Sequence, residues 1–141
     1  MAKFYSIFFI YILAGCGYGI ETKPVSLDTF LNDNSSKVWL VKHKFVNGEK
    51  VSAGRSGFRE VFIFYHSTKV IVQPLNSLGN APNFQGYYEL STDNSKINFE
   101  MPKENWYFKI DSYGEHQIVL IGNGGVRKNE KLILIPLPDE F

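Results

Sequence analysis

The residues of this chain that could perform chemistry are few and widely spaced. There is one cysteine, Cys16, and there are three histidines, His43, His66 and His116. A single cysteine excludes an internal disulfide bond and a multi-cysteine metal site, and the histidines lack metal-ligand spacing such as His-x-x-x-His. His43 and His66 share strand parity with apolar neighbours and could point inward. Hydrogen-bonded or rim histidines are favoured over metal ligands, and we predict no metal site.

Patterns typical of catalysis are also missing. The acidic residues are spread singly, so no carboxylate pair stands out for acid–base catalysis, and no serine lies in a Gly-x-Ser-x-Gly motif. Asn123-Gly124-Gly125 lacks a following helical pattern, which indicates a turn and not a phosphate-binding loop. Thr92–Ser95 is better explained as a hairpin turn than as part of a calcium loop. We expect a protein that is not an enzyme and uses no cofactor.

The N-terminal segment gives Cys16 a different chemistry. Met1–Lys3 is a short basic start, and Phe4–Leu13 is a run of ten residues in which only Ser6 is clearly polar. A membrane-spanning helix takes about 20 residues, whereas the shorter run is typical of the hydrophobic region of a signal peptide. Residues 1–15 are therefore predicted to be an export signal.

The four residues Leu13-Ala14-Gly15-Cys16 match the lipobox of bacterial lipoproteins. The resemblance implies a diacylglycerol on the Cys16 sulfur, cleavage before Cys16 and acylation of the new N-terminus, so membrane lipid is a predicted partner. Several acyl chains on one residue anchor a protein stably, whereas a single chain anchors it only marginally. Gly17 follows the cysteine in place of Asp, which implies sorting to the outer membrane with the periplasmic face as default. The alternative is a short N-terminal helix with a buried free cysteine.

Length and composition limit the kind of domain that the anchor would carry. The 141 residues allow one domain, and 44% hydrophobic with 16% aromatic residues argues against disorder. Lys and Arg number 15 against 14 Asp and Glu, and Lys3 lies in the predicted signal, so the mature chain is neutral. A nucleic-acid-binding protein needs clustered Lys and Arg, so we expect no nucleic-acid partner.

Residues 16–36 are rich in Gly, Thr, Ser, Asn and Asp and are predicted to be a lipid-anchored, flexible tether. Within it, Ser26 could cap one helical turn. That turn would place Leu27, Phe30 and Leu31 on one face, against the domain predicted for residues 37–141.

From Val38 onward, apolar residues recur with a period of two, which predicts half-buried β-strands. The clearest strand is Lys96–Met101, in which Ile97, Phe99 and Met101 share one face. Eight strands are predicted: Val38–Phe45, Val61–His66, Lys69–Gln73, Gly86–Leu90, Lys96–Met101, Asn105–Asp111, His116–Ile121 and Lys131–Ile135.

Turn-forming sequences separate these strands. Asn47-Gly48 is the strongest, because both residues tolerate the positive φ of a type I′ turn. Strands joined by such short connections pair antiparallel, and an up-and-down series can close into a barrel that leaves no exposed edge. The predicted fold class is all-β: a small antiparallel up-and-down β-barrel of about eight strands after the signal peptide and tether.

Several segments resemble the lipocalin-like lipoproteins of Bacteroidetes-type bacteria. The resemblance covers roughly residues 37–136 and rests on Lys37-Val38-Trp39, Asn47-Gly48, Gly86–Leu90, Ile97–Phe99, Asn105–Ile110 and Leu132–Leu134. It implies a lipocalin-like barrel. Lys37 stands where true lipocalins have the Gly of their Gly-x-Trp opening, so the resemblance transfers no ligand-binding residues.

Two groups of apolar residues are the candidates for function. The first would line a ligand pocket in the barrel or, as the favoured alternative, form its core: Trp39, Val41, Phe45, Phe99, Trp106 and Phe108. The second is Tyr87-Tyr88 with Phe84, which would form an exposed aromatic cluster for a protein or glycan or, as favoured, alternate between core and surface.

The sequence thus supports two functions. The leading one is a lipid-anchored cell-envelope lipoprotein with a non-enzymatic binding role, its ligand a small apolar molecule in the barrel or a protein at the rim. The alternative is a structural, accessory or inhibitory lipoprotein with a filled barrel that binds a protein partner.

Overall fold

A computed structural model describes residues 26–51, 59–77 and 84–137. The described chain contains one α-helix, nine β-strands and two short 3-10 helices. In chain order they are α1 (Leu27–Asn32), β1 (Ser36–Val46), β2 (Glu49–Val51), β3 (Glu60–Tyr65), β4 (Lys69–Pro74), η1 (Leu75–Ser77), β5 (Phe84–Leu90), β6 (Lys96–Glu100), β7 (Asn105–Tyr113), β8 (Ile118–Gly122), η2 (Gly125–Arg127) and β9 (Glu130–Pro136).

Eight of these strands form a closed antiparallel barrel. From β3 to β9 each strand pairs with the next in sequence, β1 pairs with β3, and β9 returns to pair with β1. Closure leaves no free edge in the eight-stranded wall, which removes the exposed backbone groups of an open sheet. The predicted all-β, up-and-down barrel is confirmed, and it has the architecture of a lipocalin-like fold.

The ninth strand, β2, is an addition to that barrel. Asn47 and Gly48 have φ values of 54° and 81°, as a type I′ hairpin turn requires, and they join β1 to β2. The sequence indicates this turn, but not the strand after it. All three residues of β2 are exposed, so they show no alternation of buried and exposed side chains.

Helix α1 forms where the sequence places it. The Oγ of Ser26 accepts a hydrogen bond from the backbone N–H of Thr29 at 3.3 Å, which caps the first turn. Leu27 and Leu31 are buried in the core, and the Leu31 carbonyl accepts a hydrogen bond from Nε1 of Trp39 at 3.0 Å. The packed unit therefore includes α1 and begins before residue 37.

A bulge in β1 reverses which side chains face inward. Leu134 and Leu132 of β9 both lie in the core. Before the bulge Leu134 pairs with Val41, and after the bulge Leu132 pairs with Lys44, which has the opposite parity to Val41 in β1. Because directly opposed antiparallel residues share a face, Lys44 points inward and its neighbours His43 and Phe45 point outward.

Candidate functional site

Five of the six residues predicted for the barrel interior lie there together. Trp39, Val41, Phe99, Trp106 and Phe108 belong to one core cluster and are at most 4% exposed. Their burial is that of a core, the favoured one of the two roles considered for them.

Aromatic rings occupy the space between the strands. The Phe99 ring centroid lies 5.6 Å from that of Phe62, 5.8 Å from that of Phe108 and 6.2 Å from that of Trp106. These distances are those of rings in contact at tilted or edge-to-face angles. An eight-stranded barrel is just wide enough for its own side chains to fill, and here large rings fill it.

The sixth residue, Phe45, is not part of this interior, and its predicted inward position is wrong. Strand parity groups it with Trp39 and Val41, but the β1 bulge lies between them and turns Phe45 outward, opposite Lys131. The Lys131 Nζ lies 5.8 Å from the centre of the Phe45 ring, on the outside of the wall. The same bulge turns His43 outward, opposite Ile133.

Helix α1 closes one end of the barrel with hydrogen bonds to a tyrosine. The Tyr88 hydroxyl donates to Oδ1 of Asp28 at 2.9 Å and accepts from Nδ2 of Asn32 at 3.0 Å. Burial, opposed by the Asn32 hydrogen bond and reinforced by Asp28, raises the pKa of Tyr88 to about 12. The hydroxyl therefore remains protonated over the physiological pH range and acts as a fixed donor.

Charged groups close the opposite end. Nη2 of Arg127 donates to both carboxylate oxygens of Glu60, at 2.7 and 3.0 Å, and Nε donates to Glu130 at 3.1 Å. The guanidinium carbon lies 4.3 Å from the centre of the Trp106 ring, so the cation also caps the aromatic core. Lys44 extends the cluster, with its Nζ 3.4 Å from Glu60 and 3.3 Å from Glu130.

One half of the barrel's outer wall is apolar. The outward positions of β1, β3, β4 and β8 carry Leu40, Val61, Ile71 and Val119, and all four side chains are buried. Both sequence neighbours of Leu40, Ile71 and Val119 are buried as well. We call the part of the wall formed by β8, β9, β1, β3 and β4 the apolar half. At these four positions the strands are therefore buried on both sides, whereas the outward Ile133 and Ile135 of β9 are half-buried.

The other half of the outer wall is polar. The outward positions of β5, β6 and β7 form two rows across the strands. We call this surface the polar half: Tyr87, Glu100 and Asn105 form the first row, and Glu89, Asn98 and Tyr107 the second. A groove of about 380 Å³ runs over it, lined by these six residues and by Thr68, Tyr88 and Phe99.

Tyr87 and Tyr107 are the two aromatic residues among the six outward side chains of the polar half. Tyr87 is 58% exposed, while its neighbour Tyr88 is 4% exposed, so the predicted alternation of the Tyr87-Tyr88 pair is present. Tyr107 is half-buried, and its hydroxyl accepts a 3.4 Å hydrogen bond from Nδ2 of Asn105. The Phe84 side chain is 42% exposed, and its ring contacts that of Trp106, with ring centroids 5.8 Å apart.

Sequence reasoning missed this groove and the charged cluster. The residues of the groove come from three strands, and only their register shows that Tyr87, Glu100 and Asn105 lie side by side. The sequence did hold one sign of it, since Lys96–Met101 and Asn105–Asp111, which contain β6 and most of β7, alternate most cleanly between apolar and polar residues. Arg127 had no such sign, because its partner Glu60 lies far away in the sequence.

The remaining predicted sites give no cluster of their own. His66 and His116 are exposed in or beside turns. Among residues 26–51, 59–77 and 84–137, no three His, Cys, Asp or Glu side chains are grouped to hold a metal ion, and no helix is long and apolar enough to cross a membrane. The predicted signal peptide with its residues Leu13, Ala14 and Gly15, and the predicted acylation site Cys16, lie outside the described residues.

We compared the chain with known protein families, curated proteins and solved structures. No family model, no curated protein and no solved structure matches this chain.

Proposed function

We propose that this protein is a lipid-anchored lipoprotein of the bacterial cell envelope that binds a partner on the outside of its barrel and performs no catalysis. Its place would be the periplasmic face of the outer membrane, with membrane lipid held through acylated Cys16. It would belong with the lipocalin-like lipoproteins that its sequence resembles.

The filled interior is the observation that carries the binding mode. A pocket for a drug-sized ligand usually has a volume of about 300–1,000 Å³. The equivalent space here contains Trp39, Phe62, Phe99 and Phe108, which are fully buried in one core cluster, with the Phe99 ring in contact with those of Phe62 and Phe108. The burial of these side chains favours a filled barrel that binds a protein or other partner outside over a barrel that binds a small apolar ligand in its lumen.

Both ends of the barrel support the same conclusion. A ligand entering beside α1 would have to break the Tyr88–Asp28 hydrogen bond. A ligand entering at the other end would have to displace Arg127 from Glu60 and Trp106, leaving the partly exposed Glu60 carboxylate without this cation. The groove of the polar half needs no such rearrangement, so it is our proposed binding surface.

The anchor is tested by metabolic labelling of bacteria that express the full chain. We expect radioactive palmitate to appear in the wild-type protein and not in Cys16→Ala, and we expect only the wild type to stay with the outer membrane after alkaline extraction. Cys16→Ala keeps the rest of the signal segment, so its sequence differs from the wild type only at the residue that would carry the lipid. Absence of label from the wild type would overturn the anchor.

The binding surface is tested by photo-crosslinking in the same cells. A benzophenone amino acid at Asn98, inside the groove, should give adducts that the same group at Asp111, exposed on β7 beyond the groove, does not give. Equal yields at both positions would contradict a binding role for the groove. A lipid-like molecule retained by the wild-type protein in native mass spectrometry, and released by Arg127→Ala, would instead support a ligand in the lumen.

A further inference from the structure

We propose that the groove of the polar half binds a neutral saccharide chain. This inference rests on the proposed function in one respect, namely that the groove is the binding surface. It adds the chemical class of the ligand, which neither the fold nor the lipobox indicates.

The arrangement of the six outward side chains is the first argument. Tyr87 and Tyr107 stand at diagonally opposite corners of the two rows, and the amides and carboxylates lie between them. Strands lie about 4.8 Å apart, so β5 to β7 give the groove a width of roughly 10 Å. This geometry gives a shallow surface with an aromatic ring at each end, which suits a chain of linked rings lying across the strands.

The exposure of Tyr87 is the second argument. A tyrosine ring that is 58% exposed leaves a large apolar face in water, although the adjacent outward positions carry the charged residues Lys69, Glu89 and Glu100. A sugar ring presents a face of C–H groups that can cover such an aromatic ring, and a tyrosine is rigid enough to lose little entropy when it is covered.

The polar side chains between the rings are the third argument. Asn98 and Asn105 each offer a donor and an acceptor, and Glu89 and Glu100 offer acceptors, so together they match hydroxyl groups, which donate and accept. All four side chains are exposed, which leaves these groups accessible to a ligand. A peptide partner would require apolar pockets for its side chains. Of the four aromatic residues that line the groove, Tyr88 and Phe99 are buried, which leaves the rings of Tyr87 and Tyr107 as its accessible aromatic surface.

Charge restricts the saccharide to a neutral one. The groove is lined by two carboxylates and by no lysine, arginine or histidine. Lys96 and Lys109 lie on the same face but pair with each other one row beyond Glu89 and Asn98. Lys69 lies opposite Tyr87 on β4, but its Nζ lies 5.0 Å from the centre of the Tyr65 ring on β3, on the side of β4 away from the groove. An acidic sugar would therefore place its carboxylate beside Glu89 or Glu100, which like-charge repulsion opposes.

Calorimetric titration of the full-length protein with defined hexasaccharides tests the proposal. The protein should be held in a detergent without a sugar headgroup, such as lauryldimethylamine oxide, because alkyl maltosides would compete for the groove. The probes are hexamers of β-1,4-glucose, α-1,4-glucose, β-1,4-mannose, β-1,4-xylose and N-acetylglucosamine, with a hexamer of galacturonate as the acidic probe. We expect at least one neutral hexamer to bind with a Kd below about 1 mM and the galacturonate hexamer not to bind.

Variants locate the binding. Tyr87→Ala and Tyr107→Ala should each weaken the affinity about tenfold or more, since each removes one stacking ring. Tyr113→Ala is the matched control, because Tyr113 is a 46% exposed tyrosine on β7 outside the groove, and its affinity should not change. Circular dichroism verifies that each variant is folded.

The outcomes separate this inference from the proposed function. If no neutral hexamer binds, if the acidic hexamer binds equally well, or if Tyr113→Ala weakens binding as much as Tyr87→Ala, the saccharide is overturned. The photo-crosslink at Asn98 then decides the proposed function by itself. A protein adduct there would retain the groove as a binding surface while excluding the saccharide.

Discussion

The two halves of the outer wall are built from the same kind of strand and present opposite chemistry. In the apolar half, Leu40 and Val61 are 1% and 0% exposed although they point away from the core. In the polar half, Tyr87 is 58% exposed, and Asn98 and Glu100 are exposed as well. One barrel thus has a wall in which outward apolar side chains are buried and a wall in which outward side chains meet water.

The difference arises from the sequence of each strand. Strands of the apolar half have continuous apolar runs, such as Val70-Ile71-Val72 and Leu132–Ile135, which are typical of strands buried on both faces. Lys96–Glu100, in the polar half, alternates strictly. Substitutions of outward side chains should therefore cost more stability in the first wall than in the second, which is free to carry a binding surface.

The free energy of unfolding should differ most between two variants that each carry a new carboxylate, one in the apolar half and one in the polar half. Leu40→Asp buries an unpaired carboxylate and should lower the free energy of unfolding by about 4 kcal/mol or more, to the point of preventing folding. Asn98→Asp, an outward substitution in the polar half, should change it by less than about 0.5 kcal/mol. Urea denaturation followed by tryptophan fluorescence measures both. Similar midpoints for the two variants would show that the apolar half is not buried in solution.

Arg127 joins the two halves, and its removal should have the next largest effect. It links Glu60, on β3, to the Trp106 ring, on β7. Arg127→Met leaves the carboxylates of Glu60 and Glu130 without this cation and should cost about 2–4 kcal/mol, less than a fully buried pair because Glu60 is partly exposed.

Lys44→Met is the control for Arg127→Met. Lys44 contacts the same two carboxylates at longer distances and with a more exposed side chain, so its loss should cost less than about 1 kcal/mol. Adding Glu60→Gln to Arg127→Met should restore part of the loss. If both single variants have equal urea midpoints, Arg127 does not join the halves as described.

Gly86→Ala tests how the polar half is held together. A Cβ at Gly86 would lie 2.1 Å from the backbone oxygen of Glu100, so β5 would have to move away from β6. We expect a loss of about 1–3 kcal/mol in thermal or urea unfolding. Because this movement would separate Tyr87 from Glu100, the crosslinking yield at Asn98 should also fall.

Gly114→Ala is the matched substitution for Gly86→Ala. Nothing lies within 4 Å of a Cβ at Gly114, so its stability should change by less than about 0.5 kcal/mol. An unchanged stability in Gly86→Ala would mean that β5 and β6 approach less closely than described.

The smallest effect is expected at the β5–β6 turn. Hydrogen bonds from Ser95 and then Ser91 lower the pKa of Asp93 to about 2, below its value of 3.8 in an unfolded chain. Because the folded value is the lower one, the stabilising contribution is complete above about pH 4 and is lost as the pH falls towards 2. Ser95→Ala should raise the pKa, as carboxyl carbon NMR can measure. A wild-type midpoint near 4 would contradict the turn geometry.

Much of this fold could be predicted from local sequence, and the exceptions have physical causes. The period of two identified all eight barrel strands, and Ser26 identified the start of α1, because both patterns are local. The prediction that Phe45 points inward was wrong because one extra residue in the β1 bulge reverses the alternation of side chains. No residue type in β1 indicates that bulge. The Arg127 cluster and the groove depend on strand register, which joins residues that are distant in the sequence.

The order of the strands also determines how the chain assembles. From β3 to β9, each strand pairs with its sequence neighbour, so hairpins can form locally and quickly. The pairing of Trp39–Val46 with Glu130–Pro136 is different, because it joins the first strand to the last. Until β9 has been synthesised and placed, β1 has an open edge that other chains can pair with. The period before closure is therefore when this protein is most exposed to aggregation.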